Sequence, residues 1–167
     1  MTKLPVMNTG NFILRKAESQ DVGAILGMIQ ELAIFEKAED QLRQQADDLL
    51  RDGFGPDPVF SSVVAENKSK EIIGMIIYYT AYSSWKGKIL FLDDLYVKEK
   101  YRGLGAGKAL MNYFLQQAKS MKVQEVRWQV LNWNEKAIRF YRQFSPRFDP
   151  DWQTCKISYE DLQNRLI

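Results

Sequence analysis

Residues Tyr101–Leu110 read YRGLGAGKAL, and the fold follows from how this stretch is placed. Gly103, Gly105 and Gly107 alternate between Arg102 and Lys108. Upstream, Lys88–Val97 (KILFLDDLYV) is rich in branched and aromatic residues and reads as a strand. Downstream, Leu110, Met111, Phe114, Leu115 and Ala118 form one stripe of a helix predicted over Leu104–Met121. The stretch is therefore a glycine turn between a strand and a helix. A helix start bares unpaired N–H groups at a positive dipole end, which suits phosphate. Glycine lets backbone press against such a ligand. Two familiar phosphate loops are excluded. A Walker loop needs glycine and Ser/Thr where Arg102 and Ala109 stand. The dinucleotide fingerprint needs G-x-G-x-x-G, a different period. A ligand-free turn is the alternative reading.

Working outward, strands are predicted at Phe12–Arg15, Val59–Glu66, Ile72–Tyr82, Gln124–Leu131 and Trp152–Ile157. The polar turn Asn67–Lys70 makes the second and third of these a hairpin. Helices are predicted from Ser19 or Asp21 to Glu36, over Gln44–Arg51, from an Asn134 cap to Phe144, and over Tyr159–Leu166. The expectation is one α/β domain over residues 1–167, its sheet mostly antiparallel, with a parallel strand–helix–strand unit around 90–131.

Composition removes whole classes of chemistry. The 167 residues contain no histidine, so Ser-His-Asp, Cys-His and His-metal mechanisms are out. Any acid or base must be a carboxylate, Tyr, Lys, Cys or water. A net charge of +2 gives no argument for nucleic acid or membrane. There is no apolar run near 18 residues and no signal-peptide layout. The single Cys155 rules out an internal disulfide framework and suits a reducing cytosol, so a cytoplasmic protein is expected. It reads as a small buried residue on a strand.

The loop also reads R-x-x-G-x-G over Arg102–Gly107. In that form it is similar to the acyl-CoA loop of the GNAT-type N-acetyltransferases. ELAIFEK (31–37), DGFG (52–55), IIYYTAYSSWKGK (76–88), LFLDDLYVKEKYRGLGAG (90–107) and VLNWNEKAIRFY (130–141) resemble, in order, the diamine acetyltransferase family. The likeness covers about residues 13–142 and is closest to the thialysine-directed branch. It implies a GNAT fold, acetyl-CoA as cosubstrate, a small-molecule amine as acceptor, no metal and a homodimer. It further implies that the backbone of Leu95, Tyr96, Val97 and of Arg102, Gly103, Leu104, Gly105, Ala106, Gly107 and Lys108 holds the cofactor.

Amine acetylation has its own demands. A lysine-like amine, pKa about 10.4, arrives protonated and must lose a proton before it attacks. Asp93 and Asp94 offer carboxylates on a strand, where neighbours point to opposite faces. Asp93 stands where the family usually has glutamate, so a relay through water is expected. The alternative is a pair of edge or bulge residues bonded to backbone. Tyr141 matches the family's proton-donating tyrosine, and Asn134 a cofactor contact. Read without the resemblance, a helical tyrosine beside Phe140 is more often a core or interface residue.

Phe35 and Glu36 match the family's acceptor-binding Tyr-Glu pair, with the hydroxyl lost. Trp85 either lines an acceptor tunnel or packs in the core. Ser83 replaces an aspartate common in the polyamine-directed branch, so long polyamines should suffer more than short lysine-like amines. Seven acids between Glu36 and Asp57 face three bases, which favours a cationic acceptor or makes a solvated helix pair. Direct attack in a ternary complex is expected, because no covalent nucleophile is in view. The competing expectations are a protein or peptide N-acetyltransferase of the same fold and a non-catalytic acyl-CoA sensor.

Overall fold

The structure, a computed structural model, describes residues 7–165. They fall into two compact units divided after Gln129.

The first unit is built on a six-stranded sheet whose spatial order follows the chain. Its strands are β1 (Met7–Asn8), β2 (Phe12–Lys16), β3 (Ser61–Asn67), β4 (Ile72–Ser83), β5 (Gly87–Val97) and β6 (Glu125–Trp128). All neighbours are antiparallel except β5 and β6, which run parallel. That pair is joined by α3 (Ala106–Ser120), the crossover a parallel connection requires. β1 was not anticipated; two residues carry no readable period.

β4 explains why the sheet has helices on both faces. Ile72–Tyr78 is buried at every position, so neither face meets water. Cross-strand partners share a face. Met75 pairs with Tyr96 and Ile77 with Asp94, and α1 (Val22–Glu36) packs on that side through Val22, Ile25 and Met28. α2 (Ala46–Phe54) joins the same cluster through Leu49. The opposite face, with Tyr78 and its partner Leu92, meets α3: Phe114 and Tyr78 stack edge-on at 5.4 Å. The buried stripe of α3 includes Tyr113, while Leu115, expected there, is half-buried.

A charged cluster ties β2 to β3. Arg15 donates to both carboxylate oxygens of Asp21 at 2.7 and 2.9 Å, and to Glu66 at 2.8 Å. Lys70 closes it on Glu66 at 2.8 Å. The Arg15 hydrogen bonds hold Asp21 below the ordinary carboxylate range, and Lys70 and Arg15 do the same for Glu66. Asp21 and Glu66 are both buried, so removing the guanidinium strands two charges. Arg15→Met is expected to lower unfolding free energy by about 3–5 kcal/mol, read by urea denaturation at pH 7. A loss below about 1 kcal/mol would mean that water already screens the cluster.

The second unit contains α4 (Glu135–Arg142) and α5 (Tyr159–Arg165). Asn134 caps α4 as expected, its Oδ1 accepting from the Ala137 N–H at 3.1 Å. α4 ends two residues before Phe144, with Pro146 following. The strand expected over Trp152–Ile157 is absent: these residues have no regular structure, and among the described residues no strand pairs with them. Cys155, expected on that strand and buried, is exposed. The expected end of the last helix, Leu166, lies outside the described residues.

Candidate active site

Asp93 sits at a defect in the sheet. Ile77 pairs with Asp94 and Tyr78 with Leu92, so Asp93 is the extra residue of a β-bulge. The bulge has two consequences. First, it ends the parallel ladder. β6 pairs with β5 only from Ile89 to Leu92, and stops at Trp128 instead of Leu131 as expected. From Asp93 to Val97 the outer edge of β5 has no strand partner among the described residues. Second, it breaks the alternation that would send the two aspartates to opposite faces. Asp94 faces α1, because its partner Ile77 lies in the α1 cluster. Asp93 acts electrostatically on Asp94 and on Tyr79, two residues from Ile77 on that same face. The opposite-face expectation is therefore corrected: both carboxylates act on the α1 side.

Glu36, in the last turn of α1, joins them. Burial, then the Asp93 charge, then the Glu36 charge push Asp94 up to about 7. Burial raises Asp93 as well, although its side chain remains open to solvent. A carboxyl titrating near neutrality can both take and return a proton at working pH. Sequence reading named Asp94 as a carboxylate but gave the role to Asp93. Its signal was present as the second acid of an apolar strand, but the Glu36 charge that helps raise it comes from α1.

Beyond β5 the chain turns through a short 3-10 segment, Glu99–Tyr101, anchored on Glu71 at the start of β4. Tyr101 donates its hydroxyl to Glu71, and Lys100 and Lys98 lie 3.0 and 3.3 Å from it. These contacts, the Tyr101 bond foremost, pull Glu71 down to about 2. Of the four bases between Lys98 and Lys108, Lys98 and Lys100 are thus committed to protein. Arg102 also folds back: its Nε donates to the Val97 carbonyl at 3.0 Å, and its guanidinium lies 5.6 Å from the Tyr96 ring centre.

Gly103 and Gly105 have φ of +83° and +86°, the left-handed region that side chains avoid. A Cβ at either would meet no atom within 4 Å, so that side of the turn is open. Gly105 is the N-cap of α3, and its carbonyl accepts from the Ala109 N–H at 3.0 Å. The N–H groups of Ala106, Gly107 and Lys108 therefore lie in the first turn, where a helix offers no internal acceptor. Leu104 and Lys108 are exposed there and Ala106 is buried. A partnerless strand edge and a bared helix start thus adjoin one chain turn.

The remaining expected residues divide by unit. Phe35 is exposed beside Glu36 at the end of α1. Trp85 stands on the β4–β5 turn at 84% exposure, which excludes the core reading. Asn134 and Tyr141 are both on the α4 segment of the second unit; Tyr141 is buried, its ring edge-on to Phe140 at 5.3 Å. Among the described residues no group of three or more Cys, Asp or Glu is arranged to hold a metal ion. No helix among them is long and apolar enough to cross a membrane.

Known proteins resemble this chain in sequence and in fold. The profile described as the acetyltransferase (GNAT) family matches residues 24–145. A thialysine N-epsilon-acetyltransferase of Sus scrofa is 37% identical over 142 residues, 81% of this chain and 84% of that protein. A Homo sapiens spermidine/spermine N(1)-acetyltransferase-like protein 1 is 38% identical over 136 residues, 78% of this chain but 20% of that longer protein. Among solved structures, an integron cassette protein of V. cholerae superposes with a TM-score of 0.74 at 16% identity, covering 92% of this chain and 96% of that one. An aminoglycoside acetyltransferase from an uncultured soil metagenomic sample gives 0.71 at 18% identity, covering 90% and 97%. At such identities these two speak for the fold alone.

Proposed function

The chain belongs to the acetyltransferase (GNAT) family, and from that premise we propose that it transfers acetyl from acetyl-CoA to a primary amine of a small lysine-like or diamine substrate. The family match spans the division after Gln129, which supports reading both units as one acetyltransferase domain. The observation that carries the proposal is the bulge at Asp93, which leaves acids on the α1 face and, among the described residues, a strand edge without a ladder partner. The name thialysine N-epsilon-acetyltransferase, carried by three of the relatives, supports the lysine-like acceptor class. A cytoplasmic homodimer is part of the same proposal.

The donor fits the residues present. Backbone N–H groups of Leu95–Val97 and of Gly103–Lys108 hold it, the helix-start amides taking the diphosphate. Asn134 adds a side-chain contact. On the acceptor side, Glu36 and Asp93 attract the ammonium, with Phe35 and Trp85 against its carbon chain. Asp93, through a water, accepts the proton that frees the nitrogen lone pair. The nitrogen then attacks the thioester carbonyl carbon, forming the C–N bond. Collapse breaks the C–S bond as the nitrogen releases its second proton to water, Asp93 passes its own proton on to solvent, and the departing thiolate takes the Tyr141 hydroxyl proton. Tyr141 recovers a proton from solvent. No enzyme-bound acetyl is formed.

A panel of thialysine, lysine, putrescine, spermidine and a lysine peptide, scored by coenzyme A released, tests this reading. Thialysine should be turned over fastest and spermidine slowly, because Ser83 supplies no second carboxylate for a distal ammonium. Turnover of the peptide alone would move the protein to the peptide acetyltransferases. Acetyl-CoA binding without product from any amine would make it a sensor.

A further inference from the structure

Glu31 and Tyr96 form a contact that the proposed reaction does not use. Tyr96 is buried on the α1 face of β5, and its hydroxyl donates to Glu31 Oε2 at 2.9 Å. Glu31 lies on α1, five residues before Glu36. On its other side the Tyr96 ring carries the Arg102 guanidinium, which is also bonded to the Val97 carbonyl. One side chain thus joins the end of the acceptor helix to the residue that opens the glycine turn. Burial first, then the Glu31 bond and charge, hold the Tyr96 hydroxyl in its neutral, donating form.

The brace lies in the more exposed half of α1. Val22, Ile25 and Met28 are buried and Ile29 and Leu32 pack partly buried against the same core, but Ile34 and Phe35 are 61% and 40% exposed. The helix then ends at Lys37 in a left-handed conformation (φ 56°) that a side chain adopts at a cost. The N-terminal half is held by apolar packing. The C-terminal half, which carries Phe35 and Glu36, has the Tyr96–Glu31 bond as a specific tie to the sheet.

We infer that Tyr96 and Glu31 are positioning residues: their hydrogen bond sets the last turns of α1 against β5, so that Glu36 faces the aspartates at the bulge. This rests on the proposed acceptor role of Glu36. It needs nothing from the Tyr96 side chain in donor binding, where only its backbone is used.

Three variants test it. Tyr96→Phe keeps the ring under Arg102 and removes only the hydroxyl. Glu31→Ala removes the acceptor. Glu31→Gln keeps a carbonyl oxygen able to accept the same bond. Amide hydrogen exchange, read without substrates, should speed up over residues 31–37 in Tyr96→Phe and Glu31→Ala and not over 22–28, with Glu31→Gln close to the parent. The KM for thialysine should rise roughly three- to tenfold in the first two variants, and in Glu31→Ala kcat and acetyl-CoA affinity should stay within about twofold. The double variant Tyr96→Phe/Glu31→Ala should lose no more than either single change. Unchanged exchange at 31–37, or faster exchange without a change in KM, overturns the inference. Absence of turnover in the parent would sink the proposed function instead, and the exchange experiment would still decide whether the brace exists.

Discussion

Tyr141→Phe is expected to lower kcat by about 10²–10⁴-fold while acetyl-CoA affinity changes by less than about threefold. The substitution deletes one oxygen and keeps the ring that stacks on Phe140, so α4 and its Asn134 cap should be undisturbed. The chemical case is the leaving group. Once the ammonium has lost its proton, amine addition to the thioester is reversible, and the forward path needs the sulfur to depart. A coenzyme A thiol has a pKa near ~8.5, against about 10 for tyrosine. The transfer is therefore not driven at equilibrium, but a hydroxyl already in place stabilises negative charge as it gathers on sulfur. The change acts on a charge present only in the transition state, so it should appear in kcat and not in donor binding. Single-turnover kinetics with saturating thialysine, together with calorimetry of acetyl-CoA, read the two separately. Unchanged turnover would remove Tyr141 from the mechanism. An equal fall in affinity would make it a binding residue.

The parts of this molecule that the sequence disclosed are those where a local rule has no competitor. The β5–turn–α3 unit was legible because alternating glycines interrupt two opposite periodicities, and two of them do adopt the left-handed backbone that only glycine takes cheaply. Asn134 was legible because a cap is satisfied by its own helix. The bulge at Asp93 was not. It is a register shift between β4 and β5, settled by how both strands pack under α1 and α3, and nothing in LFLDDLYV marks which residue is the extra one. The two strand errors have related causes. β6 stops at Trp128 because its partner bends away one residue later. Trp152–Ile157 has a strand's composition, but a strand exists only with a ladder partner. The state of Asp94 was likewise hidden, since its second acid neighbour, Glu36, stands on α1, more than fifty residues earlier.

That last point gives the other large expectation. Asp94→Asn should stabilise the protein at pH 8 by up to about 4 kcal/mol and leave its stability near pH 4 almost unchanged. The sign follows from the direction of the shift. The folded carboxyl is raised from 3.8 to about 7, so the folded state binds this proton more tightly than the unfolded chain does. Its contribution is fully present below pH 3.8 and is lost as pH rises through 7, at about 1.4 kcal/mol per unit in between. Asp93 is shifted in the same direction, so it adds to this slope and does not cancel it. The Arg15 cluster does the opposite: Asp21 and Glu66 are lowered, and their contribution disappears only as pH falls below the ordinary carboxylate range. The two effects occupy separate windows, so urea denaturation at pH 2.5, 4, 6 and 8 can assign them. In the parent, stability should fall from pH 6 to 8; in Asp94→Asn that fall should shrink. A slope that survives intact would show that Asp94 is already ionised at neutral pH, with water reaching the bulge. Every cause acting on Asp94 raises it, and a fold selected for stability alone would not keep a half-buried acid beside two others. Three carboxyls sharing one face are destabilising without a cation and favourable once an ammonium arrives, which is the electrostatic condition a lysine-like acceptor requires.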